Sequence, residues 1–143
     1  MNVNKSPFCN CLYYSSNALA RIMTKMAVDS FAPAGLSPSH AFVVMSVNKN
    51  PGILSGELAR LMMLTPSTVT RLLEKLEDQE LIKRVPEGRN ILVFPTRQSV
   101  ALDDLIMKGW QDLYTRIVDV LGMEASANLT AEIYQAAVKL SEK

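Results

Sequence analysis

The sequence predicts a mainly α-helical fold with one small β-hairpin, and three observations carry the prediction. Apolar residues recur at three- and four-residue spacing along much of the chain, most cleanly at Val69, Leu72, Leu73 and Leu76. A residue able to cap a helix is twice followed by proline, at Ser37-Pro38 and Thr65-Pro66, and proline suits the first helical position because its missing N–H would have had no partner there. Two short β-like runs, residues 82–85 and 91–94, flank Pro86-Glu87-Gly88-Arg89-Asn90, whose Pro, Gly and Asn are hairpin-turn residues. Helices leading into a hairpin define the fold class: a winged helix-turn-helix with a two-stranded β wing, flanked by long N- and C-terminal helices.

Taken in order, Leu12, Leu19, Ile22, Met23 and Met26 mark a first helix from Ser6 to about Phe31, which Ala32-Pro33-Ala34-Gly35 breaks. Ser37 caps a second helix carrying Phe42, Val43, Met45 and Val47 and ending near Asn48-Lys49-Asn50-Pro51-Gly52. Ser55 is the expected cap of a short third helix through Leu58, Ala59, Leu61 and Met62, and Thr65 opens the fourth. Beyond the hairpin, Val100, Leu102, Leu105, Ile106, Leu113, Ile117, Val120 and Leu121 lie at helical spacing. A continuous helix there spans about 24 residues, a rod of roughly 36 Å. Gly122 ends it, and Leu129, Ile133, Ala136, Ala137 and Leu140 define a last helix.

At 143 residues and 48% apolar content the chain is one domain with a substantial core. Residues 33–98 form the winged helix-turn-helix lobe, and 1–32 with 99–143 a helical region for dimerisation. The formal charge is +1, but it runs from +3 over residues 1–54 through +1 over 55–97 to −3 over 98–143. So weak a bias argues against very strong non-specific affinity for nucleic acid and leaves room for a few placed cations. No stretch approaches the roughly 20 apolar residues that span a membrane, and the N-terminus lacks a signal-peptide core. The expected compartment is the cytoplasm, with Cys9 and Cys11 as thiols.

The fourth helix carries the chemistry. Its apolar stripe packs, leaving Ser67, Thr68, Thr70, Arg71, Glu74 and Lys75 on the remaining surface. A DNA major groove about 12 Å wide admits one helix, and base edges are read by side chains near its N-terminus. Ser55, Thr65, Ser67, Thr68, Thr70, Arg71 and Lys75 are therefore the expected DNA-binding residues, joined by Arg89 at the hairpin tip, which reaches phosphates or the minor groove. The long end helices exceed what the lobe needs to cover itself, so their apolar faces are expected to bury one another across a two-fold axis. Two half-sites about 34 Å apart require such a pair of reading heads.

These residues resemble the MarR family of bacterial winged-helix transcription regulators over nearly the whole chain. The likeness rests on Gly56-Glu57-Leu58-Ala59, on Thr68-Val69-Thr70-Arg71-Leu72-Leu73-Glu74-Lys75-Leu76-Glu77, and on Leu81-Ile82-Lys83-Arg84 entering the wing. The resemblance implies a homodimer on a pseudo-palindromic operator in double-stranded DNA, modulated by a small-molecule or oxidant effector. The family wing commonly reads D-x-R, then a strand and L-T-x-x-G; here Glu87-Gly88-Arg89 keeps the Arg with a longer acid, and Ser99 replaces the Gly. Cys9-Asn10-Cys11-Leu12-Tyr13 is similar to the C-x-x-L-Y of the peroxide-sensing OhrR branch, which makes Cys9, with Cys11 beside it, the candidate redox sensor. That branch holds its thiolate with tyrosines early in the second helix, and residues 36–42 contain none. The family's effector pocket lies between the dimer helices and the DNA-binding lobe, which points to Met23, His40 and Met45. His40 and the two Cys are too few and too scattered to define a metal site, and no cofactor is expected. The competing readings are a winged helix used only for protein association, and an enzyme, for which no nucleophile–base pair or phosphate loop is present.

Overall fold

A computed structural model describes residues 5–142. In chain order it comprises α1 (Leu12–Phe31), a 3-10 turn (Ala32–Ala34), α2 (Pro38–Lys49), β1 (Ile53–Leu54), α3 (Ser55–Met62) and α4 (Pro66–Asp78). There follow β2 (Ile82–Glu87), β3 (Asn90–Pro95), α5 (Arg97–Ala101), α6 (Asp103–Leu121) and α7 (Met123–Ser141).

Two of the three expected caps are formed. The Ser37 hydroxyl accepts the His40 N–H at 3.3 Å, and the Thr65 hydroxyl accepts the Thr68 N–H at 3.3 Å, each with proline at the first helical position. The first helix starts later than expected, at Leu12 rather than Ser6. Residues 6–11 form turns in which the Ser6 hydroxyl accepts the Phe8 N–H and the Ser6 carbonyl accepts that of Cys9, bonds that compete with a helix start. Ser55 is not a cap but the first residue inside α3. Leu54 holds the cap position with no side-chain bond, because it is still paired with Leu92 in the sheet and the backbone turns helical only one residue later.

The sheet has three antiparallel strands in the order β1-β3-β2, so the two-stranded wing gains a short third strand at its base. The wing turn is tighter than the expected five residues: Glu87 pairs with Asn90, leaving Gly88-Arg89 as the turn with Gly88 at φ 63°. Pro86 lies within β2, which is tolerated because β2 is an edge strand. The rod expected after the wing is broken at Leu102. Thr96 and Ser99 form a reciprocal capping box that starts α5, and the Asn48 side-chain amide donates to the Ser99 carbonyl at 3.1 Å and to Asp103 at 3.3 Å. The last helix begins at Met123, earlier than Leu129, since Gly122 at φ 87° ends α6 and the following Met, Glu and Ala are good helix formers without a stripe.

One core joins the lobe to the long helices: Phe31 of α1, Val43, Val44 and Val47 of α2, Leu58 of α3, Val69, Leu73 and Leu76 of α4, Ile82 and Val93 of the wing, and Ile106 of α6. α1 and α6 cross closely at Gly109, where an added Cβ would stand 2.7 Å from the Ser30 carbonyl oxygen. At that crossing the buried Ser30 hydroxyl donates to Asp112 at 2.8 Å and accepts from Arg116 at 3.1 Å. The turns after α3 and α4 each place a non-glycine residue in the left-handed region, Met63 at φ 54° and Glu80 at φ 60°. α7 packs chiefly on α6, and Ser126 is its one buried residue.

Candidate nucleic-acid interface

The buried stripe of α4 turns its opposite face outward. Ser67, Thr70, Arg71, Glu74 and Lys75 are exposed, while Thr68 is half-buried. The hydroxyls at the helix tip are tied together: Thr65 Oγ1 lies 3.2 Å from Ser67 Oγ and 2.9 Å from Thr68 Oγ1, and Thr70 Oγ1 donates to the Pro66 carbonyl at 3.0 Å. These bonds tie the hydroxyls of the helix tip to one another and to its backbone. Among the described residues, Arg71, Lys75 and Arg89 form no ion pair, so their charge is available to a polyanion.

Ser55 and Arg89 are brought together across the wing. They share a concavity of about 560 Å3 with Gly56, Glu57, Arg60 and Asn90, between α3 and the wing tip. Arg60 there is held by Glu57 at 3.6 Å, an exposed pair. Glu87 does not brace Arg89. The ion pair that anchors the wing lies at its other end: Glu77 accepts the Arg84 N–H at 2.9 Å, Nε at 3.2 Å and Nη2 at 2.9 Å. The main-chain N–H of Arg84, then its guanidinium, hold the Glu77 carboxyl below the usual carboxylate range. Sequence reasoning missed this pair, since seven residues across a helix end fall outside any local pairing rule.

The effector candidates are not gathered. Met23 lines a groove of about 460 Å3 between α1, α6 and α7 together with Leu19, Ile133 and Tyr134. A neighbouring groove of about 730 Å3 between α6 and α7 is lined by Trp110, Tyr114 and Tyr134, and no charged residue lines either. His40 and Met45 line neither; Met45 packs against the core. His40 sits below its ordinary pKa, first through burial and then through the nearby Lys75 ammonium. Cys9 and Cys11 are exposed free thiols. The Cys9 Sγ has Asn10 Oδ1 as its hydrogen-bond partner, at 3.9 Å.

A capped helix with exposed hydroxyls and unpaired cations, followed by a β-hairpin with Arg89 at its tip, is the arrangement of a winged helix-turn-helix. The comparisons agree. The MarR family model matches residues 34–90, from the end of the 3-10 turn to the start of β3. The repressor MdtR of Bacillus subtilis strain 168 is 26% identical over 129 residues, covering 86% of this chain and 83% of the relative. The repressor CouR bound to p-coumaroyl-CoA superimposes with a TM-score of 0.83 at 19% identity, over 94% of this chain and 98% of that one. A mutant of Escherichia coli MarR complexed with operator DNA gives a TM-score of 0.78 at 17% identity, over 92% and 99%. Residues 34–90 thus match the MarR family of winged-helix transcription regulators, and the chain shares its fold with MarR-family structures along nearly its whole length.

Proposed function

We propose that the protein acts in the cytoplasm as a homodimer that grips a pseudo-palindromic operator with two winged helices and changes its grip when an effector alters their spacing. The observation that carries this reading is the outward face of α4, where Ser67, Thr70, Arg71 and Lys75 stand exposed. Arg71 and Thr70 read base edges; Lys75 and Arg89 contact phosphates. A pure protein-association module would have no use for unpaired cations aligned on the groove-sized face of one helix.

The test is to select fragments of the source genome with the purified protein and titrate the variants. Arg71→Ala should lose about 1–3 kcal/mol of specific affinity and relax preference at one symmetric pair of positions. Lys75→Ala should weaken all sequences alike, and Arg89→Ala should reduce the salt slope by about one phosphate. Unchanged binding by all three would remove the reading.

The effector is a small molecule rather than an oxidant. The relative CouR carries p-coumaroyl-CoA, and the helical grooves here are apolar and uncharged, whereas no hydroxyl or cation holds the Cys9 sulfur among the described residues. An organic hydroperoxide should leave the protein on its DNA. Release that Cys9→Ser abolishes would establish the peroxide sensor instead.

A further inference from the structure

We infer that the Glu77–Arg84 clasp positions the wing on DNA: by tying β2 to the last turn of α4, it sets where the hairpin tip carrying Arg89 meets the phosphate backbone. The inference rests on the DNA-binding reading above.

The wing is anchored only at its base. Ile82 and Val93 are buried, and β1 pairs with β3 at Ile53↔Val93 and Leu54↔Leu92 alone. Beyond Leu92 only Pro86↔Ile91 and Glu87↔Asn90 hold the two strands to each other, and Glu87 and Asn90 are exposed. A two-stranded ribbon of this kind is marginal alone and twists readily. Arg84 pairs with Val93, so the clasp grips the ribbon where it leaves the core. At its other end Glu77 lies seven residues after Thr70, about two helical turns, and hence on the same side of α4. The rotation of the reading helix and the swing of the wing are thereby fixed to one another.

The chemistry suits that task. A carboxylate that accepts a main-chain N–H on one oxygen and two guanidinium N–H groups on the other is held in direction as well as distance, which a point-charge ammonium would not achieve. Glu77 stays ionised at neutral pH, because Arg84 keeps its carboxyl below the ordinary range. The clasp occupies Nε and Nη2 of Arg84, so this cation serves as a strut and Arg89 is left to meet the phosphate.

The test uses the whole protein and a DNA fragment selected by the wild type, with affinity measured over a range of salt. Glu77→Gln should weaken binding about tenfold and lower the salt slope by about one phosphate, as Arg89→Ala does. The double variant should bind within about twofold of Arg89→Ala alone, because the clasp acts through that residue. Arg84→Lys, which keeps charge and removes the fork, should match Glu77→Gln. A merely structural pair would lower the melting temperature without moving the slope, and losses in the double variant would multiply; either result overturns the inference. So does tighter binding by Glu77→Gln, which would mean that a freed Arg84 is itself a phosphate contact. Failure of the wild type to select any fragment would overturn the DNA-binding reading beneath it.

Discussion

Gly109→Ala should destabilise the protein, and Gly109→Leu should do so by about 3 kcal/mol or more, at the upper end of overpacking. The sign makes the alanine variant decisive. In an open helix interior, alanine is favoured over glycine by about 1 kcal/mol, so a stabilised variant would mean that the α1/α6 crossing is loose. Here the added Cβ would stand 2.7 Å from the Ser30 carbonyl oxygen and 2.9 Å from a ring carbon of Phe31. Phe31 is fully buried and the carbonyl belongs to a helix backbone, so neither neighbour can move cheaply. Separating the helices would also stretch the Ser30–Asp112 and Arg116–Ser30 bonds. Urea unfolding followed by circular dichroism measures the effect directly.

Ile133→Glu should convert the protein from dimer to monomer in sedimentation at micromolar concentration, with its helical content retained. In the single chain Ile133 is 48% exposed, Tyr134 63% and Leu140 64%, all on a helix whose main contact is α6. Together with the exposed Val120 and Met123, they leave more apolar surface open than one soluble chain commonly shows. Ile133 reports on assembly better than Leu113, which packs against the shared core and would confound dissociation with unfolding. Loss of the partner removes the second reading head, so operator affinity should fall by about a hundredfold or more. A wild-type protein that sediments as a compact monomer would sink both the dimer and the palindromic operator.

What could be read from the sequence was whatever depended on near neighbours. Ser37 and Thr65 cap their helices because a hydroxyl and an N–H three residues on are placed by local geometry, and Val69, Leu73 and Leu76 are buried as a helical period requires. Features set by distant partners were illegible. The break at Leu102 depends on Asn48, about fifty residues earlier, taking the Ser99 carbonyl. β1 contains two residues, too few to show any period, and its pairing with Leu92 displaces Ser55 from the cap. Gly109 matters only because α1 lies across it, a contact no local pattern in the sequence marks. At the candidate interface, Arg71, Lys75 and Arg89 could be named from their places on a helix and a turn. The Glu77–Arg84 strut could not, because it bridges two elements whose angle the sequence does not state.

The two left-handed turns that bracket α4 leave the molecule short of its own stability optimum. Met63 and Glu80 each adopt a backbone that disfavours a side chain by roughly 1–2 kcal/mol, in places where glycine or asparagine is the usual occupant. Neither contributes its side chain to the buried core. The reading lobe thus has spare mutational room at its two joints, and evolution towards a hotter environment could draw on it without touching a single residue of the DNA-facing surface.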